Sequence, residues 1–246
     1  MSFLEDMMTQ SNSIEELTNF VFPDIKSGYK DPNWLSERAI LCPTNQETDE
    51  INKWMTETFP GDEKIFKSCD TTDENNMEFQ SEFLNTLSLP GMPQQKLILK
   101  KGMPVMLLRN LDQKNGHCNG VKYVILNMLH DHVLELMAIS GSSPGPKLFI
   151  PRITLISNSG TLPFTMRRKQ FPIKPAFAMT ANKAQGQTLA KVGIYLGRDF
   201  FSHGQLYVAL SRCGDRQGIK ILKRKAKNSA DKVVRNVVYR SVLTKS

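Results

Sequence analysis

Apolar residues change their spacing repeatedly along this chain, and each change predicts an element. In SIEELTNFVF at 13–22 they fall at helical intervals, with Ser13 as candidate cap and Glu16 three residues later to complete a capping box. RAILCP at 38–43 reads as a buried strand and runs into TNQE at 44–47, where Thr44 is a candidate N-cap and Glu47 its capping-box partner. Ile51, Trp54, Met55 and Phe59 then keep helical spacing until Pro60-Gly61 stops the helix. Residues 62–92 are acidic and polar and read as a surface connection, with a short helix around Glu78 to Leu87. From Lys96 the texture becomes short β-prone runs (KLILKKGMPVMLLRNL, VKYVILNMLHDHVLELMAI, KLFIPRITLI) separated by Gly, Asn and Pro, which predicts a small antiparallel β module ending near Ser157. PAFAMT at 175–180, KVGIYLG at 191–197 and GIKIL at 218–222 are compact apolar strands, and HGQLYVALSRC at 203–213 is helical, with Leu206, Ala209 and Leu210 facing inward. Strands alternating with helices on both flanks imply a mostly parallel sheet, so the predicted fold is one α/β domain interrupted by a β insertion.

Composition adds a charge asymmetry. The 246 residues are 40% hydrophobic, enough for a proper core, and carry a net charge of +8. Residues 1–146 hold 12 Lys and Arg against 21 Asp and Glu, whereas residues 147–246 hold 20 against 3. One-sided charge of this size points to a polyanionic partner, which nucleic acid satisfies best. No apolar run approaches a membrane span, and the acidic first residues do not resemble a targeting signal, so an intracellular location without a membrane is expected. Cys42, Cys69, Cys118 and Cys213 lie far apart without metal-ligand spacing, which predicts reduced thiols and no metal site. The last stretch, KRKAKNSADKVVRNVVYR, reads equally as a solvated basic extension and as a contact surface.

Two segments carry the chemistry. In TANKAQGQT at 180–188 a strand passes into a loop where Thr180, Asn182 and Gln185 are able to bond phosphate oxygens. Lys183 adds a point charge there, and Gly186 lets backbone approach a ligand closely. The same letters also spell an ordinary capped turn. In QLYVALSR at 205–212 an apolar helix ends in Arg212, which either serves the helix dipole or presents a guanidinium fork to a transferred phosphoryl group. Thr44 and Asn45 sit at the carboxyl edge of their strand, where open α/β sheets bind ligands. No G-x-x-x-x-G-K-[ST] loop is present, so these residues alone do not make a complete P-loop ATPase.

Taken in order, ERAILCPTNQETDEIN, LKKGMPVMLLRNLDQKNGHCNG, LFIPRITL, FPIKPAFAMTANKAQGQTL and FSHGQLYVALSRC resemble the carboxyl-terminal half of Pif-type (petite integration frequency) DNA helicases, with plant, fungal and transposon-borne Helitron-like relatives especially similar. The resemblance implies a RecA-like parallel-sheet domain of the P-loop NTPase type, the second motor domain of an ATP-driven 5′ to 3′ DNA helicase acting in DNA repair, recombination and telomere maintenance. It divides the chain into a connecting segment at 1–35, the RecA-like domain at 36–93 and 158–225, an inserted small β-barrel at 94–157 and a basic tail at 226–246. It also implies roles. Thr44, Asn45, Thr180, Asn182, Lys183, Gln185 and Gln205 would contact single-stranded DNA. Gly186, Gln187 and Arg212 would face ATP and its Mg2+, with Arg212 as the arginine finger. The first RecA-like domain is absent from this sequence, so the expectation is a fragment that is inactive as an ATPase alone, with a separate chain as one source of the other half. The expected partners are single-stranded DNA and duplex junctions, and the expected compartment is the nucleus or the mitochondrion. A rival class is a DNA-binding or interaction module without catalysis.

Overall fold

The computed structural model describes residues 5–72, 81–139, 145, 147–157, 162–224 and 234–239. In chain order it contains α1 (Ile14–Val21), α2 (Ile25–Gly28), α3 (Pro32–Ser36), β1 (Arg38–Cys42), α4 (Asn45–Thr58), β2 (Glu63–Lys67) and β3 (Cys69–Thr72). Next come α5 (Ser81–Thr86), β4 (Lys96–Lys100), β5 (Pro104–Leu107), β6 (Lys122–Leu129), β7 (Val133–Ala138), β8 (Lys147–Pro151) and β9 (Ile153–Ile156). The chain closes with β10 (Met166–Gln170), β11 (Ile173–Pro175), β12 (Ala178–Thr180), β13 (Lys191–Leu196), α6 (Gln205–Leu210) and β14 (Ile219–Lys223). Two compact units result, one from residues 1–58 with 176–246 and one from residues 59–175.

The first unit is built on a four-stranded sheet in the order β12-β1-β13-β14, parallel throughout. The apolar runs of β1 and β13 are buried along their length, as a sheet covered on both faces requires. Leu17 and Val21 of α1, with Ile51 and Met55 of α4, are fully or almost fully buried in its core. Both edges of the sheet are covered. At the β14 edge, Met8 bridges Ile221 in parallel and Thr9 N–H donates to the Ile221 carbonyl at 2.8 Å. At the β12 edge a side chain does the same work: Asn52 of α4 donates from Nδ2 to the Ala178 carbonyl at 3.0 Å and accepts from the Ala178 N–H at 2.9 Å. This bidentate clamp pairs backbone groups that an edge strand otherwise leaves open.

Residues 5–35 therefore belong to this unit rather than forming a connecting segment, because they supply an edge contact and α1. The capping box expected at Ser13 is not formed. Ser13 accepts from Glu15 N–H at 3.1 Å, but Glu16 turns away to receive Gln10 N–H, Ser11 N–H and the Ser11 hydroxyl.

The second unit is all antiparallel apart from α5. It holds a five-stranded sheet in the order β11-β5-β6-β7-β8, a three-stranded sheet β3-β10-β9 and the pair β2-β4. Among the described residues no ladder joins β8 to β11, so the five-stranded sheet is not closed into a barrel by hydrogen bonds. The unit is also wider than residues 94–157. β2 and β3 arise where a surface connection was expected, and β10 and β11 remain with it, so PAFAMT splits between β11 and β12. The reason lies in β10, MRRKQ, whose inward residues include Arg168 and Gln170. Arg168 donates to both oxygens of Asp70 on β3, at 2.7–3.1 Å, and to the carbonyls of Pro93 and Leu84. Gln170 bonds the carbonyls of Phe66 and Gln95. Buried polar groups so fully paired hold three distant segments together.

Candidate nucleic-acid interface

Parallel pairing places the chemistry-bearing loops side by side. Cys42 is the register partner of Thr180, so β1 and β12 end at one level and deliver Thr44-Asn45 and the 180–188 loop to the same edge of the sheet. The first loop is held by the predicted capping box: Thr44 N–H and Oγ1 both donate to Glu47 Oε2, at 3.2 and 2.8 Å, and Glu47 N–H donates to Thr44 Oγ1 at 3.3 Å. Glu47 is buried, and its other oxygen accepts from Arg198 N–H just after β13, at 2.8 Å. One carboxylate thus ties the ends of β1 and β13 together. It also explains Gly197, where a Cβ would lie 2.6 Å from Glu47 Oε1. Thr44 is half-buried and its hydroxyl proton is spent on the cap, whereas Asn45 is exposed.

The second loop begins with a 3-10 turn at Ala181–Ala184 whose two alanines are buried. Asn182, Gln185 and Gly186 are exposed, while Thr180, Lys183 and Gln187 are half-buried. Gly186 adopts φ +80°, a left-handed conformation that a β-carbon resists. Gln205, the first residue of α6, is buried and folds the preceding loop against this turn. Its Oε1 accepts from Phe201 and Ser202 N–H at 3.3 Å, and its Nε2 donates to Asn182 Oδ1 at 3.4 Å. Gln205 therefore positions Asn182.

Arg212 closes the arrangement. Its Nε donates to the Val208 carbonyl at 2.9 Å, Nη1 to the Gln187 carbonyl at 3.1 Å and Nη2 to Ser211 Oγ at 2.9 Å, while its own carbonyl accepts from Leu189 N–H at 2.9 Å. The dipole-serving role is present in the bond to Val208, and the same side chain pins the loop that carries Gly186 and Gln187. Three of the five guanidinium N–H groups are engaged in these bonds, leaving one on each terminal nitrogen for an anion. Gln187 also folds back, its Nε2 donating to the Lys183 carbonyl at 3.2 Å.

These residues suit contact with phosphate oxygens. The set holds no phosphate-cradling loop. Among the described residues, no cluster of three or more His, Cys, Asp or Glu side chains could hold a metal. Cys213, beside Arg212, is buried with its sulfur near the Ala190 and Asp215 carbonyls, which marks it as a packing residue. The sequence reading missed Asn52 and the reach of Glu47. Asn52 announces itself only as a polar residue between Ile51 and Met55 on the inward face of α4.

Comparison with known proteins finds similarity to DNA helicases of the Pif1 type. Residues 82–128 match the family profile described as DNA helicase Pif1, 2B domain, which places that domain in the second unit. The chain is 32% identical over 184 residues to the ATP-dependent DNA helicase PIF1 of Homo sapiens, covering 74% of this chain and 26% of that protein. It is 26% identical over 260 residues to the PIF1 helicase of Emericella nidulans, covering 85% of this chain and 34% of that protein. The chain thus spans only about a quarter to a third of the length of these two relatives. Among solved structures, the Bacteroides Pif1 helicase in complex with ADP-AlF3 and ssDNA aligns over 94% of this chain and 49% of that one, with a TM-score of 0.61 and 22% identity. A structure of two coordinating Pif1 helicases at forked dsDNA aligns over 96% and 51%, with a TM-score of 0.60 and 24% identity. At these identities the solved structures establish the shared fold.

Proposed function

Because the chain corresponds in sequence and fold to the carboxyl-terminal region of Pif1-type DNA helicases, we propose that its parallel-sheet unit works as the second motor domain of an ATP-dependent DNA helicase. The observation that carries this reading is the common level at which β1 and β12 end, which puts Asn45, Asn182, Lys183 and Gln185 along one edge. Exposed amides and a lysine on such an edge grip a phosphodiester backbone without reading bases. Thr44, Thr180 and Gln205 support that grip, Thr44 by holding the turn and Gln205 by aiming Asn182. Gly186, Gln187 and Arg212 face the nucleotide. ATP bound with Mg2+ by a first motor domain supplies the hydrolytic free energy. Arg212, fixed to the Gln187 carbonyl, links the nucleotide side to the loop that holds the strand.

The test uses the purified chain and a single-stranded DNA probe. Binding should weaken steeply with salt, and Lys183→Ala should lower the slope of log affinity against log salt by about one. Supplied with the first motor domain, Arg212→Ala should reduce DNA-stimulated ATP hydrolysis by about 10³-fold or more, far beyond the loss of DNA affinity that comes from loosening the loop it pins. DNA binding with no stimulated turnover in the reconstituted pair would favour the non-catalytic binding module instead.

A further inference from the structure

A ring outside the candidate site residues sits on the same edge and already has a stacking partner. His203 lies in the loop that Gln205 folds against the 181–184 turn, two residues before Gln205 itself. The ring of Tyr239, from the described part of the carboxyl-terminal segment, stacks on it at 5.4 Å between centroids and 19° between planes. Tyr239 N–H donates to His203 Nδ1 at 3.1 Å, which leaves the proton of a neutral imidazole on Nε2. Both His203 and Tyr239 are exposed, Tyr239 at 51% and the neighbouring Val238 at 41%, so the segment buries little surface where it lies. The contact visible at His203 is one stack and one hydrogen bond, and Arg235 of the same segment is exposed. A contact of this size is small enough for a nucleobase stack to replace it.

We infer that His203 is a base-stacking subsite for single-stranded DNA, and that Tyr239 occupies it as an internal competitor that the incoming strand displaces. A nucleobase reproduces the larger element of the contact, a flat π-face laid on the imidazole ring. Displacement releases residues 234–239 from the His203 ring. The inference rests on the nucleic-acid reading above and adds to it a base contact and a gate.

The chain has only four histidines, so the His203 ring resonance is identified by its loss in His203→Ala. Tyr239→Ala should shift that resonance by removing the neighbouring ring current, and should tighten binding of an oligo-dT probe about threefold to tenfold, since less of the protein is held closed. The salt slope should not change, because no charge is lost. Adding His203→Ala to Tyr239→Ala should weaken binding at least about fivefold, and Tyr239→Phe should behave as the parent. If the parent chain binds oligo-dT and Tyr239→Ala binds it equally well, the competitor is refuted while the nucleic-acid reading stands. If His203→Ala costs nothing in the Tyr239→Ala background, the subsite is refuted. If neither parent nor variant binds, the nucleic-acid reading falls and this inference falls with it.

Discussion

Replacing Asn52 with leucine tests how the edge strand β12 is held. Asn52 is 3% exposed and makes two bonds to one residue, at 3.0 and 2.9 Å, so Asn52→Leu strands both the N–H and the carbonyl of the fully buried Ala178. Each unpaired buried group costs about 1–3 kcal/mol, and the apolar leucine recovers a part of that, leaving a net loss of about 2–4 kcal/mol. Against a typical stability of about 5–15 kcal/mol this is a large fraction. Urea unfolding followed by a probe within the parallel-sheet unit should show a midpoint lowered by about 1–2 M for a slope of about 2 kcal/mol/M. Amide exchange at Ala178 should accelerate more than exchange in β13, because the lesion is local to the edge. Asn52→Asp sets a buried carboxylate oxygen against the Ala178 carbonyl, so at neutral pH it should cost at least as much as the leucine variant. A loss below about 1 kcal/mol with unchanged exchange at Ala178 would refute the clamp.

Three further outcomes are expected. Gly197→Ala puts a β-carbon 2.6 Å from Glu47 Oε1 and should destabilise the parallel-sheet unit by about 1–3 kcal/mol, with faster exchange at Arg198 N–H. Arg168→Leu abandons the buried Asp70 carboxylate and should cost about 3–5 kcal/mol in thermal or urea unfolding, whereas the double variant Arg168→Leu with Asp70→Leu should recover much of that loss. Burial lowers Lys122 from 10.5 to about 8, a penalty of roughly 3 kcal/mol on its charged form. Between those two pH values the folded chain binds fewer protons than the unfolded chain, so stability from this group rises with pH across that window and is absent below it. Lys122→Met should abolish that rise in unfolding curves collected from pH 7 to 11, with the parent and variant compared at each pH.

The parts of the fold that were legible in the sequence are those where apolar residues face inward at regular spacing. RAILC, KVGIYL and the Ile51 to Met55 stripe of α4 formed as their pattern predicts, and the Thr44 to Glu47 capping box with them. Strands β2, β3 and β10 were opaque because their buried positions are few or polar. EKIFK buries only Phe66, and MRRKQ turns Arg168 and Gln170 inward toward partners that lie 75–104 residues away in sequence. No local rule anticipates a guanidinium satisfied by Asp70, Pro93 and Leu84 together. At the site, the residue types and their common sheet edge were readable, but the supporting bonds were not. Glu47 reaching Arg198 and Asn52 reaching Ala178 span 151 and 126 residues.

The span from Asn52 to Ala178 also sets a timetable. At about 5–20 residues per second, a ribosome needs roughly 6–25 s to extend the chain from Asn52 to its partner, far longer than a helix or hairpin takes to form. Throughout that interval β1 lacks the neighbour that Asn52 will later secure, and its flank is open to mispairing with other nascent strands. Closing a flexible loop of that length costs about 4 kcal/mol, and folding of residues 59–175 on their own contacts shortens the effective loop before β12 arrives. The loop at 180–188 is thus completed only after Gln205 and Arg212, which support it, have followed β12 off the ribosome.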